Sequence, residues 1–129
     1  MRTAARETAF KITFASRFDV DTGDLKRALV KADKLTDDDK EFVDRLLKII
    51  DERGEELLKL VDERSKSFPE SRLFPADKSI LLIALAEILY MDDVPAAVSC
   101  NEAANIASKY STPKSADFIS GILSEVVKK

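Results

Sequence analysis

Apolar side chains recur along the chain at spacings of three and four, the period of an α-helix. No stretch sustains the two-residue alternation of a half-buried strand. The pattern predicts six helices. In the first, residues 4–18, Ala5, Ala9, Ile12 and Ser16 share a narrow small-residue face, and Arg6, Phe10, Phe14 and Arg17 share another. A short helix over 25–33 puts Leu25, Ala28, Leu29 and Ala32 on one side. The third and longest starts at Thr36, a good N-cap, followed by Asp37, Asp38 and Asp39 at the positive end of the helix dipole. Its stripe is Val43, Leu46, Leu47, Ile50, Leu57, Leu58 and Val61, within an arc of about 120°. Gly54 lies inside that arc. We read it as a place where a neighbouring helix comes close; a kink or break is the other reading.

Residues 65–75 hold two prolines and read as a connector with one irregular turn. The fourth helix, 77–91, carries Ile80–Ala86, apolar all round, which marks it as the central buried helix. Pro95 and Pro113 each suit the first position of a following helix, giving a fifth over 95–110 and a sixth over 113–127. Phe118, Ile119, Ile122, Leu123 and Val126 form the stripe of the sixth. The expected fold class is all-α, a compact helical bundle formed by one domain, residues 1–129.

Composition narrows the chemistry. Histidine and tryptophan are absent and Cys100 is the single cysteine. Serine–histidine and cysteine–histidine nucleophiles, histidine–cysteine zinc sites and an intrachain disulfide are therefore excluded. Three glycines leave no phosphate-cradling loop. Asp77 and Glu87, ten residues apart, are separated by about 15 Å along a helix, too far for paired acid–base work. Asn101 and Glu102 lack a nucleophile beside them. Asp37–Asp39 with Glu41 reads as dipole-complementing charge rather than a metal site, and Cys100 as a small buried apolar residue. The expectation is a protein that is not an enzyme and takes no cofactor or metal. The longest apolar run, Ile80–Ala86, is too short to span a membrane. The start of the chain lacks the apolar core of a secretion signal, so a cytoplasmic location is expected.

The net charge of −3 hides an uneven distribution. Residues 1–18 hold four basic groups against one acid, residues 19–63 nine against fifteen, and the remainder balances. Arg2, Arg6 and Arg17 interleave with Phe10 and Phe14, a composition suited to single-stranded RNA, where arginines meet phosphates and rings stack on bases. The competing reading makes the phenylalanines core and the arginines ordinary solvated charge.

The C-terminal half is more specific. An apolar helix ends in Leu85-x-Glu87, followed by Asp93-Val94-Pro95, Val98, the triplet Asn101-Glu102-Ala103, then Ala107, Lys109 and the block Phe118-Ile119-x-Gly121-Ile122-Leu123. Together with Ala5-Arg6-Glu7 near the N-terminus, these resemble the NusB family of bacterial transcription antitermination factors. The resemblance implies an all-helical fold without catalysis. It also implies binding of boxA-type single-stranded RNA together with NusE, a small-subunit ribosomal protein, within the RNA polymerase antitermination complex that reads through termination signals in ribosomal RNA operons. The same fold occurs at the N-terminus of some ribosomal RNA methyltransferases; no such module is expected here. Only Arg2 precedes Arg6, where family members often carry several arginines. Ser120 replaces the asparagine before the late glycine, and Phe14 stands where a tyrosine is common.

On this resemblance the RNA contacts are expected among Arg2, Arg6, Phe14, Arg17, Lys114, Ser115 and Phe118. Phe14 and Phe118 are either core or base-stacking. The start of the sixth helix also offers free amides to a phosphate. The fourth and fifth helices are expected to face NusE through Asp77, Glu87, Asn101 and Glu102; water-exposed rim charge for Glu87 and an internal hydrogen bond for Asn101 and Glu102 are the other readings. The thin arginine arm keeps a second function open, a NusB-fold protein–protein module that binds NusE after losing most RNA binding. Monomer and homodimer both remain open.

Overall fold

Ile80–Ala86 give a helix no polar side to turn toward water, so the chain must wrap that helix on every side. In the computed structural model, which describes residues 2–18, 22–32, 34–64 and 73–127, it does so. The order is α1 (Arg2–Ser16), α2 (Gly23–Ala32), α3 (Asp37–Arg64), α4 (Pro75–Tyr90), α5 (Ala96–Tyr110) and α6 (Pro113–Val127). The described residues form no strand. Helices α1, α3, α5 and α6 all pack on α4, and every residue from Ser79 to Glu87 is buried. Val43, Leu46, Leu57 and Val61 of α3 and Ile119, Ile122, Leu123 and Val126 of α6 close the core.

Local chemistry sets the boundaries. The Asp39 amide donates to Thr36 Oγ1 at 3.1 Å and the Thr36 amide donates to Asp39 Oδ2 at 3.4 Å, a reciprocal cap that starts α3. Thr112 caps α6 from one side, its Oγ1 accepting from the Ser115 amide at 3.0 Å. Pro113 opens α6 as expected. Pro75 opens α4 two residues before the predicted start, because a proline lacks only an amide that the first turn leaves unpaired. Pro95 has extended backbone (ψ 136°) and stands just outside α5, one residue before its first turn. Arg17 and Phe18, predicted helical, form a turn beyond α1. The irregular connector at 65–75 lies largely outside the described residues, as does Asp33.

Two details differ more instructively. At Gly54 the nearest atom a Cβ would meet is Ile50 Cγ2 of the same helix, 4.0 Å away. Among the described residues no other helix makes the close approach expected there, and α3 runs unbroken from Asp37 to Arg64. Helix α2 buries none of its residues fully. Leu25, Leu29 and Val30 are half-buried, while Ala28 and Ala32, expected on the packed side, are exposed. It ends with the Leu35 amide donating to the Val30 carbonyl at 3.2 Å and the Lys34 amide donating to the Lys31 carbonyl at 3.3 Å. This pair of bonds needs a left-handed residue at Lys34, whose φ is 52°. A side chain there costs about 1–2 kcal/mol relative to glycine.

Candidate functional site

The residues expected to form one basic, aromatic face of α1 part company. Arg6 turns inward. Its Nε donates to both Glu87 oxygens at 2.9 and 3.0 Å, and its Nη2 donates to Glu87 Oε1 at 2.8 Å. Its Nη1 reaches Glu102 Oε1 at 3.4 Å. Ser99 Oγ donates to Glu87 at 3.1 Å and Thr3 Oγ1 donates to Glu102 at 2.7 Å. Side-chain exposure is 4% for Arg6 and 1% for Glu87. The expected roles of Arg6 as a phosphate contact and Glu87 as a partner acceptor, and the reading of Glu87 as rim charge, are thereby corrected. The two bond each other and, through Ser99 and Glu102, tie α1, α4 and α5 together.

Asp77 and Ser115 are corrected on the same ground. Asp77 is buried and accepts from the hydroxyls of Ser111 at 2.9 Å and Ser115 at 2.8 Å, locking the start of α4 to the α5–α6 connection. Both side chains are engaged within the fold, Ser115 donating to Asp77 and Asp77 accepting from two hydroxyls.

What remains outside is divided among surfaces. At the N-terminal end of α1, Arg2 is half-exposed, its guanidinium 4.1 Å from the centre of the Phe42 ring and 4.0 Å from Asp38. Arg17 is exposed just past the other end of this helix, about 22 Å away along the axis. Between them runs a row of rings. Tyr110 and Phe10 are 5.2 Å apart, Phe10 and Phe14 6.1 Å, and Phe14 and Phe18 5.2 Å. The row grades from buried Phe10 through half-buried Phe14 to Phe18, 55% exposed. Lys11 and Lys109 approach the Tyr110 ring at 5.9 and 5.3 Å.

Glu7 anchors the buried end of the row, accepting from Lys109 Nζ at 2.8 Å and the Tyr110 hydroxyl at 2.7 Å. Burial pushes the Glu7 carboxyl upward, but these bonds together outweigh it and hold the group below its ordinary range. Lys109 rises correspondingly, chiefly through its bond to Glu7.

Two residues past Tyr110 the surface opens into a concavity of about 570 Å³, lined by Leu73, Phe74, Asp77, Thr112, Lys114, Ser115 and Phe118. Lys114 is exposed, Phe118 half-buried and Phe74 65% exposed. Elsewhere, Asn101 and Glu102 share a recess with Thr3, Ala97, Val98 and Asn105, in which Asn101 is exposed. The internal hydrogen-bond reading holds for Glu102, which serves Thr3 and Arg6 from the recess wall.

Sequence reasoning missed Phe18, Tyr110, Lys109 and Phe74. Phe18 was detectable, since Phe10, Phe14 and Phe18 are spaced by four and share one face of the predicted helix over 4–18. Tyr110 and Phe74 come from distant elements and only the packing reveals them. Cys100 is half-buried, and burial raises its thiol above its ordinary value.

Known proteins match this arrangement along its length. The sequence pattern of the NusB family fits residues 3–128. The transcription antitermination protein NusB of Natranaerobius thermophilus is 35% identical over 132 residues, covering 99% of this chain and 95% of that protein. That of Methylacidiphilum infernorum is 46% identical over 90 residues, or 70% of this chain and 63% of that protein. Among solved structures, T. maritima NusB superposes with a TM-score of 0.90 at 27% identity, covering 100% of this chain and 92% of that one. A NusB crystallised with NusE and double-stranded RNA shares the fold, with a TM-score of 0.86 at 21% identity over 98% and 96% of the two chains. With its fold, its motifs and its whole described length in agreement, the chain belongs to the NusB family.

Proposed function

We propose that this protein is a transcription antitermination factor that binds boxA-like single-stranded RNA together with the ribosomal protein NusE. The complex promotes read-through by RNA polymerase in ribosomal RNA operons, and the protein works in the cytoplasm by binding, without catalysis. The carrying observation is the ring row that grades to exposed Phe18 beside Arg17, together with the concavity at Phe118 lined by Lys114. Unstacked bases find π-faces there, and phosphates find cations around the edge. Arg2, Phe14, Arg17, Lys114 and Phe118 are the proposed RNA contacts, with Phe18 added. Asn101 and Glu102, in their recess beside Val98, are the proposed NusE contacts.

No described helix is long and apolar enough to cross a membrane. A net charge of −3 allows only a small phosphate footprint, so a basic ribosomal partner extends the RNA site. The test is a titration of labelled boxA RNA and a scrambled RNA with the protein–NusE complex at physiological salt. Preference for boxA, weakened by Phe14→Leu and Phe118→Leu, is expected. Equal affinity for the two RNAs sinks the reading. If NusE binds while boxA is ignored, the module has become a protein–protein adaptor.

A further inference from the structure

The acidic middle of the chain contains a basic groove. Helix α2 and the start of α3 enclose about 780 Å³ between them, running along α2 from Gly23 to Lys34 and Leu35. Lys26, Arg27, Lys31, Lys34 and Lys40 line it, against one carboxylate, Asp44. Three of these cations are in ion pairs, Lys26 with Asp44, Arg27 with Asp24 and Lys40 with Asp37 at 3.5 Å. All three pairs are solvent-exposed and so weakly held that a phosphate can compete for the cation. Lys31 and Lys34 have no ion-pair partner among the described residues.

Lys34 is the telling residue. It occupies the left-handed position where a helix ends most cheaply in glycine, yet the chain places a long cation there, at φ 52°. Backbone strain of this kind concentrates where a side chain is needed for something besides the fold. Nothing in the packing requires it, since Lys34 lies in the turn just past α2 and is exposed.

We propose that this groove is a second, electrostatic contact for RNA, gripping the phosphates of the strand that flanks the segment held at the ring row. The proposal rests on the RNA-binding reading above. The placement suits it. Gly23 follows Phe18 by five residues, so that end of the groove lies within about 18 Å of the exposed ring. Its far end reaches the first turns of α3, whose other side meets Arg2 at Asp38 and Phe42. The contact reads charge and not sequence, because its lining offers ammonium and guanidinium groups without a ring to stack on.

The experiment compares two RNAs in the presence of NusE, one of boxA length and one extended by about ten nucleotides at each end, at two salt concentrations. The wild type is expected to hold the extended RNA more tightly. The variant Lys31→Ala/Lys34→Gly should lose about tenfold on the extended RNA and nothing on the short one. Its salt slope on the extended RNA should fall by about 1.4, two phosphates at about 0.7 each. Lys34→Gly alone should raise the melting temperature by a few degrees, which separates lost affinity from lost folding. Unchanged affinity and slope on the extended RNA, with the short RNA still bound, overturn the groove and leave the RNA reading standing. Weaker retention of NusE without RNA overturns it in favour of a protein contact. Failure of the wild type to bind either RNA removes the RNA reading itself and the groove with it.

Discussion

Removing the Arg6 guanidinium would strand Glu87 in the interior with Ser99 as its remaining side-chain donor among the described residues. Breaking one side of a buried pair costs about 3–5 kcal/mol, a large share of the roughly 5–15 kcal/mol that holds a domain folded. Arg6→Met should therefore lower the denaturant midpoint severely. The double variant Arg6→Met/Glu87→Leu should recover most of the loss, since two apolar side chains leave no orphaned charge. If the double variant is as unstable as the single, the pair is not the unit of stability. At the rings, Phe14→Leu keeps apolar volume and removes the stacking face. RNA affinity should fall by about 1–3 kcal/mol, the worth of one stacked base, while the melting temperature moves little. A large fall in melting temperature with affinity intact would make Phe14 core alone.

The helices end and begin where their own side chains dictate. Thr36→Ala removes the acceptor for the Asp39 amide and should cost about 1 kcal/mol, read from a urea transition. Gly54→Ala has the opposite sign. A Cβ there meets only Ile50 Cγ2 at 4.0 Å, so the substitution should stabilise by about 0.5–1 kcal/mol through helix propensity. Destabilisation would reveal a close neighbour after all. Legibility in the sequence followed a simple division. Helix number, order and centre were readable because Ile80–Ala86, Pro113 and Thr36 act through local rules that hold wherever the chain goes. Arg6 and Glu87 were misplaced because charge predicts exposure until a partner is at hand, and their pairing spans 81 residues. Asp77 and Ser115, 38 residues apart, escaped for the same reason. Gly54 was over-read, since its position on an apolar arc says nothing about whether a neighbour comes close.

For the molecule as a whole, acid stability follows from carboxylates held low. Bonds from Lys109 and Tyr110 overcome the burial of Glu7, and the Arg45 side chain 3.1 Å away lowers Asp93. A group whose carboxyl is lowered on folding adds stability that is complete above its ordinary value, 4.5 for Glu7 and 3.8 for Asp93. That stability drains away as the pH falls through the lowered values. No histidine exists to titrate near neutrality. Stability should thus be level between about pH 6 and 8 and decline on the acid side. Lys109→Met should shrink the part of the decline that Glu7 supplies, measurable by denaturation across pH. An unchanged acid limb would remove Glu7 from the account.

The ring row has an optical consequence. With no tryptophan and only two tyrosines, emission excited beyond the phenylalanine band comes from Tyr90 and Tyr110 alone. Tyr90 lies under Arg53, 5.4 Å from its ring centre, whereas Tyr110 is stacked on Phe10 and bonded to Glu7 at the head of the row. A Tyr90→Phe variant would leave one emitter, in contact with Phe10 behind the proposed RNA face. Quenching as bases settle on the row, and recovery as they leave, could then be followed without attaching a dye.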